Sequence, residues 1–129
     1  MLVSFQMIQT QTTQHGYSQP SEYKFSHDSI ELAQRAAAIL EPRPRFRVLD
    51  LCAGCGVVGL ELLRIWEDRG LSGEVAMDFL EIQSIYRDHF EKNRNWVLSG
   101  IENSPENKIL SMNWFERNFS VLVSDSEFH

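Results

Sequence analysis

Asp50, Gly54, Gly56, Gly59 and Glu81 are the residues whose types and spacing imply chemistry. The three glycines fall in a G-x-G-x-x-G frame within VLDLCAGCGVVGLEL, and Glu81 stands 22 positions after Gly59. Glycines at a strand-to-helix turn let backbone amides approach a ligand. A carboxylate at the end of the following strand can accept hydrogen bonds from both hydroxyls of a ribose. Strand, loop, helix and second-strand acid in that order point to an adenosine-containing ligand. Asp78 is a rival to Glu81 for the ribose, but the strand-end position favours Glu81.

NAD and S-adenosylmethionine both satisfy this frame, and Asp50, just before the loop, separates them. A dinucleotide lays its pyrophosphate over the helix N-terminus, where a nearby carboxylate repels it and opposes a helix-end contribution of about 0.3–1 kcal/mol. The methyl donor carries no phosphate, and its ammonium and sulfonium are cationic. Asp50 therefore favours S-adenosylmethionine, with an NAD oxidoreductase as the alternative. Cys52 and Cys55 form a C-x-x-C, which suits a redox pair or half a zinc site. A second Cys pair is missing, and His15, His27, His89 and His129 show no ligand spacing, so both thiols read as small loop residues and no metal is expected.

The elements that must position these residues follow from periodicity. Asp28 and Glu31 have capping-box spacing, and Ile30, Ala33, Ala37 and Leu40 predict a helix over 28–40 that stops at Pro42. Phe46 to Leu51 is a short apolar run suited to a buried parallel strand. Val58, Leu62, Ile65 and Trp66 predict a helix over 57–69, closed by a left-handed Gly70. Glu74 to Leu80 is a second strand. Ser84 is placed to cap a helix with Tyr86, Phe90, Asn93 and Val97 on its core face and Gly100 as its stop. Weaker strands are expected over 109–112 and 119–124, and residues 1–25 suggest a loose hairpin or lid. Trp66, Trp96 and Trp114 read as packing residues. Alternating strands and helices predict an α/β fold with an open parallel sheet and helices on both faces.

At 129 residues, 43% hydrophobic and 23% charged, the chain has room for one domain with a buried core. We divide it into an N-terminal extension and helix over 1–45 and a binding core over 46–129. No apolar run approaches the roughly 18–20 residues that cross a bilayer, and the first residues lack the basic and apolar regions of a secretory signal, so a cytoplasmic protein is expected. The net charge of −6 is uneven, with five basic residues against four acids over 1–47 and all the excess acid beyond. An acidic body steers nucleic acid weakly and leaves only Arg43 to Arg47 as a candidate contact, more simply a solvated linker.

The segments QPSEYKFSHDSIELA, VLDLCAGCGVVGLEL, MDFLEIQSIYRDHFEKN and FSVLVSDSEF together resemble the class I S-adenosylmethionine-dependent methyltransferases. More narrowly, they resemble the bacterial tRNA adenine-N6 methyltransferases that modify an anticodon-adjacent adenine of a valine tRNA. The resemblance implies a Rossmann-like methyltransferase fold, with S-adenosylmethionine held by Lys24, Phe25, Asp50, Cys52, Ala53, Gly54, Gly56, Glu81 and Gln83. It also implies that Asp125 and Phe128 align the target base, with tRNA as partner. Protein glutamine methyltransferases use a similar loop and are an alternative.

Two departures stand out. Cys52 occupies the first glycine of D-x-G-x-G-x-G, where a thiol fits if φ is negative. Asp125-Ser126-Glu127-Phe128 replaces the family's N-P-P-Y/F or D-P-P-Y/F, losing a stiff proline pair and adding a charge. The family's sheet order, 3-2-1-4-5-7-6, implies that this chain supplies about four strands, 3-2-1-4, as the N-terminal half. An apolar edge at Val121 to Val123 would then invite self-association or completion by a second chain. A non-catalytic remnant that keeps the pocket is the competing reading.

Overall fold

Alternation along Arg45–Leu51 sorts its side chains onto two faces. Phe46, Val48 and Asp50 are partly covered, whereas Arg45, Arg47, Leu49 and Leu51 are exposed. The computed structural model describes residues 16–21, 27–40, 44–69, 73–101 and 107–117. Within them lie α1 (His27–Ile39), β1 (Arg45–Leu51), α2 (Val57–Asp68), β2 (Gly73–Leu80), a 3-10 turn (Ser84–Tyr86), α3 (Arg87–Ile101) and β3 (Asn107–Phe115). The strands form one parallel sheet in the order β1-β2-β3, with a register shift between Val75 and Ala76. This is a Rossmann-like α/β arrangement. The strand expected over 119–124 lies outside the described residues, as do 1–15 and 22–25 of the expected hairpin or lid.

Helices α2 and α3 pack on the same face of the sheet. Trp66 of α2 stacks on Phe46 of β1 at 4.5 Å between ring centroids, while Phe90 of α3 packs on Phe79 of β2 at 4.7 Å and on Trp114 of β3 at 6.1 Å. Phe79 also abuts Gly59 of α2, where an added Cβ would lie 2.6 Å from its ring. Third-glycine positions of such loops allow this close packing of helix on strand. α1 packs on α2 through Ile30, Ala33 and Ala37, all buried. Helices on both faces were expected. Among the described residues the opposite face carries no helix and instead holds the cross-strand pairs Arg45–Glu74 at 2.9 Å and Arg47–Asp78 at 3.5 Å.

Several boundaries differ from expectation for identifiable reasons. Asp28 lies inside the first turn of α1 rather than at its cap, and Glu31 pairs with Arg35 at 3.0 Å instead of reaching back. Leu40 follows the helix and is exposed, so it does not extend the buried stripe. Ser84 opens the 3-10 turn, and α3 begins three residues later. Gly100 lies within α3, which runs on to the buried Ile101 because that side chain anchors the last turn. Strand β3 spans nine residues, not four, because its pairing with β2 continues to Phe115. Trp96 is half-exposed rather than packed, with its ring against Tyr17 and under Arg64. Gly70 lies outside the described residues, and the residue closing α2 is Arg69, with right-handed backbone.

The glycine loop rests on α3. Gly56 has φ 85° and a Cβ there would come within 2.7 Å of the fully buried Phe90 ring. Gly56→Ala should therefore lose about 2–4 kcal/mol, the left-handed penalty plus overpacking. The denaturant midpoint, read with an unchanged slope, measures this.

Candidate functional site

The site is built where β1 and β2 end. Asp50 and Phe79 are register partners, and Glu81 follows β2 by one residue. Period-2 alternation puts Asp50, Phe79 and Glu81 on the helix-bearing face. The glycine loop crosses between the two acids, continuing the sheet for one bond as the Ala53 N–H donates to the Leu80 carbonyl at 2.9 Å. It then turns tightly, with the Gly56 N–H donating to the Ala53 carbonyl at 2.8 Å.

Both carboxylates bind loop backbone. Asp50 Oδ2 accepts from the Gly59 N–H at 3.1 Å. Gly59 is the third residue of α2, and the cap residue, Gly56, has no side chain to offer. Asp50 therefore caps the helix from the neighbouring strand, taking a donor that an external anion would otherwise use. Glu81 Oε1 accepts from the Gly54 N–H at 3.0 Å and its Oε2 from the Gln83 N–H at 2.8 Å. A carboxylate offers about four acceptor sites, so Glu81 retains capacity for two hydroxyls. Asp78, the rival acid, lies mid-strand and is committed to Arg47 and to the Asn113 side chain at 3.3 Å.

Burial pushes the Asp50 carboxyl up to about 6; the Gly59 bond opposes this and the nearby Glu81 charge adds to it. The folded protein thus holds a proton on Asp50 between about 4 and about 6 that the unfolded chain has released. Its contribution to stability accordingly falls as pH rises through that window, and at neutral pH the ionised group opposes folding. A nearby cation would relieve that cost. Cys55, buried, has its thiol pushed up to about 11, chiefly by burial, which makes it a poor thiolate and argues against a redox dithiol. Among the described residues no cluster of three or more acidic, Cys or His side chains is arranged to hold a metal ion.

Of the residues assigned to the donor, Asp50, Cys52, Ala53, Gly54, Gly56, Glu81 and Gln83 converge here. Lys24 and Phe25, together with Asp125 and Phe128, lie outside the described residues. Cys52 does not have the negative φ at which a thiol fits freely: at +56° it is the one described non-glycine residue in the left-handed region. The backbone there keeps the turn that a glycine would make, and the thiol side chain accepts the strain.

Other residues at the site left little trace in the sequence. Tyr86, expected in the core, is only partly buried, and its ring would lie 3.8 Å from a Cβ on Gly54, so it walls the loop. Ile82 and Ile85, just after Glu81, are 62% and 45% exposed. Their signal is apolar character in a short turn where helical periodicity explains nothing. The segment 16–21 also packs here through Ser18, whose Oγ lies 2.7 Å from His89 Nδ1.

No family model matches the chain, and no curated protein matches it. Three solved chains are similar to it in structure. One is the X-ray structure of YjhP from E. coli, at 17% identity and a TM-score of 0.41 over 67% of this chain. The chain spans 30% of the length of that structure. No described helix is long and apolar enough to cross a membrane.

Cys52→Gly should stabilise the protein by about 0.5–1 kcal/mol, the relief of left-handed strain less the added entropy of an unfolded glycine. Thermal unfolding of the two forms at one pH tests this, and a loss of stability would show that the thiol packs favourably enough to offset its backbone.

Proposed function

We propose that the chain is the donor-binding part of an S-adenosylmethionine-dependent methyltransferase acting on an exocyclic amine, of the tRNA adenine-N6 type. The observation that carries this is the bond from Gly59 to Asp50. It fills the helix-end position that a dinucleotide phosphate would need and leaves an ionisable carboxylate beside the loop. From 50 to 56 and from 81 to 86 the chain has two acids, Asp50 and Glu81, and no Lys or Arg. That donor set fits a cation carrying hydroxyls and disfavours a diphosphate.

S-adenosylmethionine, when bound, supplies an electrophilic methyl group on sulfur. Asp50 would face its ammonium, Glu81 would take the ribose hydroxyls, and Gly54 and Gly56 would admit it against the backbone. Cys52 and Ala53 would line the same turn, and Gln83 would hold Glu81 in place through its N–H. Ile82 and Ile85 offer an apolar surface for the adenine. By the family resemblance, Lys24 and Phe25 would cover the methionine end. Asp125 would accept a hydrogen bond from the target amine while Phe128 stacks on the base. Transfer would be an in-line displacement in which the amine nitrogen bonds to the methyl carbon as the carbon–sulfur bond breaks, the neutral thioether S-adenosylhomocysteine leaves, and the amine proton is lost to solvent. Alignment of that kind supplies about 7–11 kcal/mol of a two-reactant barrier.

Ser126 and Glu127, in place of two prolines, favour a second reading in which the chain binds the donor without transferring its methyl group. Calorimetric titration at neutral pH should show S-adenosylmethionine binding and NAD not binding. The affinity should fall by up to about tenfold per pH unit below about 6 as Asp50 takes a proton. Preference for NAD would overturn the proposal. Methyl incorporation is then measured into bulk tRNA and into a glutamine-containing peptide. Incorporation into tRNA supports the adenine type, incorporation into peptide selects the glutamine type, and binding without either selects the second reading.

A further inference from the structure

Asn93 is 1% exposed in the middle of α3, and every hydrogen-bonding group of its carboxamide is used. Its Oδ1 accepts from the Ser18 N–H at 2.6 Å, and its Nδ2 donates to the Ser18 carbonyl at 2.9 Å and to the Cys55 carbonyl at 2.9 Å. One side chain thus holds the backbone of segment 16–21 and the backbone of the glycine loop. The Cys55 carbonyl lies between Gly54 at φ 56° and Gly56 at φ 85°. The bond from Asn93 therefore fixes the orientation of the peptide that carries the Gly56 N–H. Segment 16–21 has further attachments to the helices: Tyr17 Oη donates to Glu61 Oε1 at 2.8 Å, the Tyr17 and Trp96 rings meet edge-on at 5.1 Å, and Ser18 Oγ lies 2.7 Å from His89 Nδ1. A buried amide that only filled space would leave polar groups unsatisfied, which is costly.

We infer that Asn93 is a positioning residue that couples segment 16–21 to the glycine loop, so that donor binding and tightening of that segment favour each other. This rests on the donor-binding reading above. Coupling of two sites is reciprocal, so a ligand on the loop must slow the opening of 16–21, and loss of the clasp must weaken the ligand.

Amide hydrogen exchange resolved by NMR on the full chain, with and without saturating S-adenosylmethionine, tests this alongside calorimetry. In the wild type the donor should slow exchange at Ser18. Asn93→Ala should speed ligand-free exchange at both Ser18 and Gly56 by at least about tenfold, weaken the donor by at least about tenfold and abolish the ligand-induced slowing. Asn93→Asp keeps the acceptor for Ser18 and loses both donated bonds, so it should also abolish that slowing if the alanine form is too unstable to study. Ser18→Ala, which keeps its backbone bonds to Asn93, should retain the coupling. Wild-type affinity or persistent slowing in the Asn93 variants overturns the inference. Should the wild type bind no donor, the donor reading fails and the clasp is judged on ligand-free exchange alone. Joint acceleration at Ser18 and Gly56 then supports it, and acceleration at Ser18 without Gly56 refutes it.

Discussion

The hydrogen bond from the Gly59 amide to Asp50 organises the site. It caps a helix whose own cap residue is a glycine, and it fixes the end of β1 against the start of α2. It also places a carboxylate where nucleotide-binding loops usually leave room for phosphate. Burial makes that carboxylate costly to ionise, since its pKa is raised to about 6. A charge kept in such a place at the expense of stability is the pattern of a functional site more than of a packing residue. The same bond requires Gly59 itself, because a side chain there would meet both the Phe79 ring and the Asp50 carboxylate.

Three side chains hold the glycine loop's backbone around this point, beside the bond from Ala53 to the Leu80 carbonyl. Glu81 takes the Gly54 amide, Asn93 takes the Cys55 carbonyl, and Asp50 takes the first turn of the following helix. They come from β1, the end of β2, and α3, so the loop's shape depends on the whole helix-bearing face of the sheet. The opposite face contributes ion pairs across β1 and β2. Such over-determination lets Cys52 persist at positive φ, because the surrounding bonds hold the turn against its preference.

Much of this was legible in the sequence where local rules operate. The glycine frame showed itself because backbone approach and positive φ exclude most side chains, and Glu81 because an acid stands where the second strand ends. The elements followed from periodicity, and their ends were less secure. Gly100 looked like a stop, yet Ile101 packs and carries α3 past it. Cys52 stood at a glycine position of the loop, which raised the question of its φ, but its residue type could not settle the sign. Asn93 was visible as a polar residue on an apolar stripe and as the last residue of the MDFLEIQSIYRDHFEKN segment, but its role was not. Its partners lie 38 and 75 positions away, and no local pattern encodes a contact of that range.

The central claim is that Asp50 is a buried, ionisable acid that selects a cationic ligand. A carboxyl-carbon NMR titration of Asp50, free and with S-adenosylmethionine, tests it most directly. The free protein should titrate near pH 6, and the bound protein well below that, because a neighbouring positive charge favours the carboxylate. A free-protein midpoint near the ordinary carboxylate value of about 4, or a midpoint that the ligand leaves unmoved, would contradict the account.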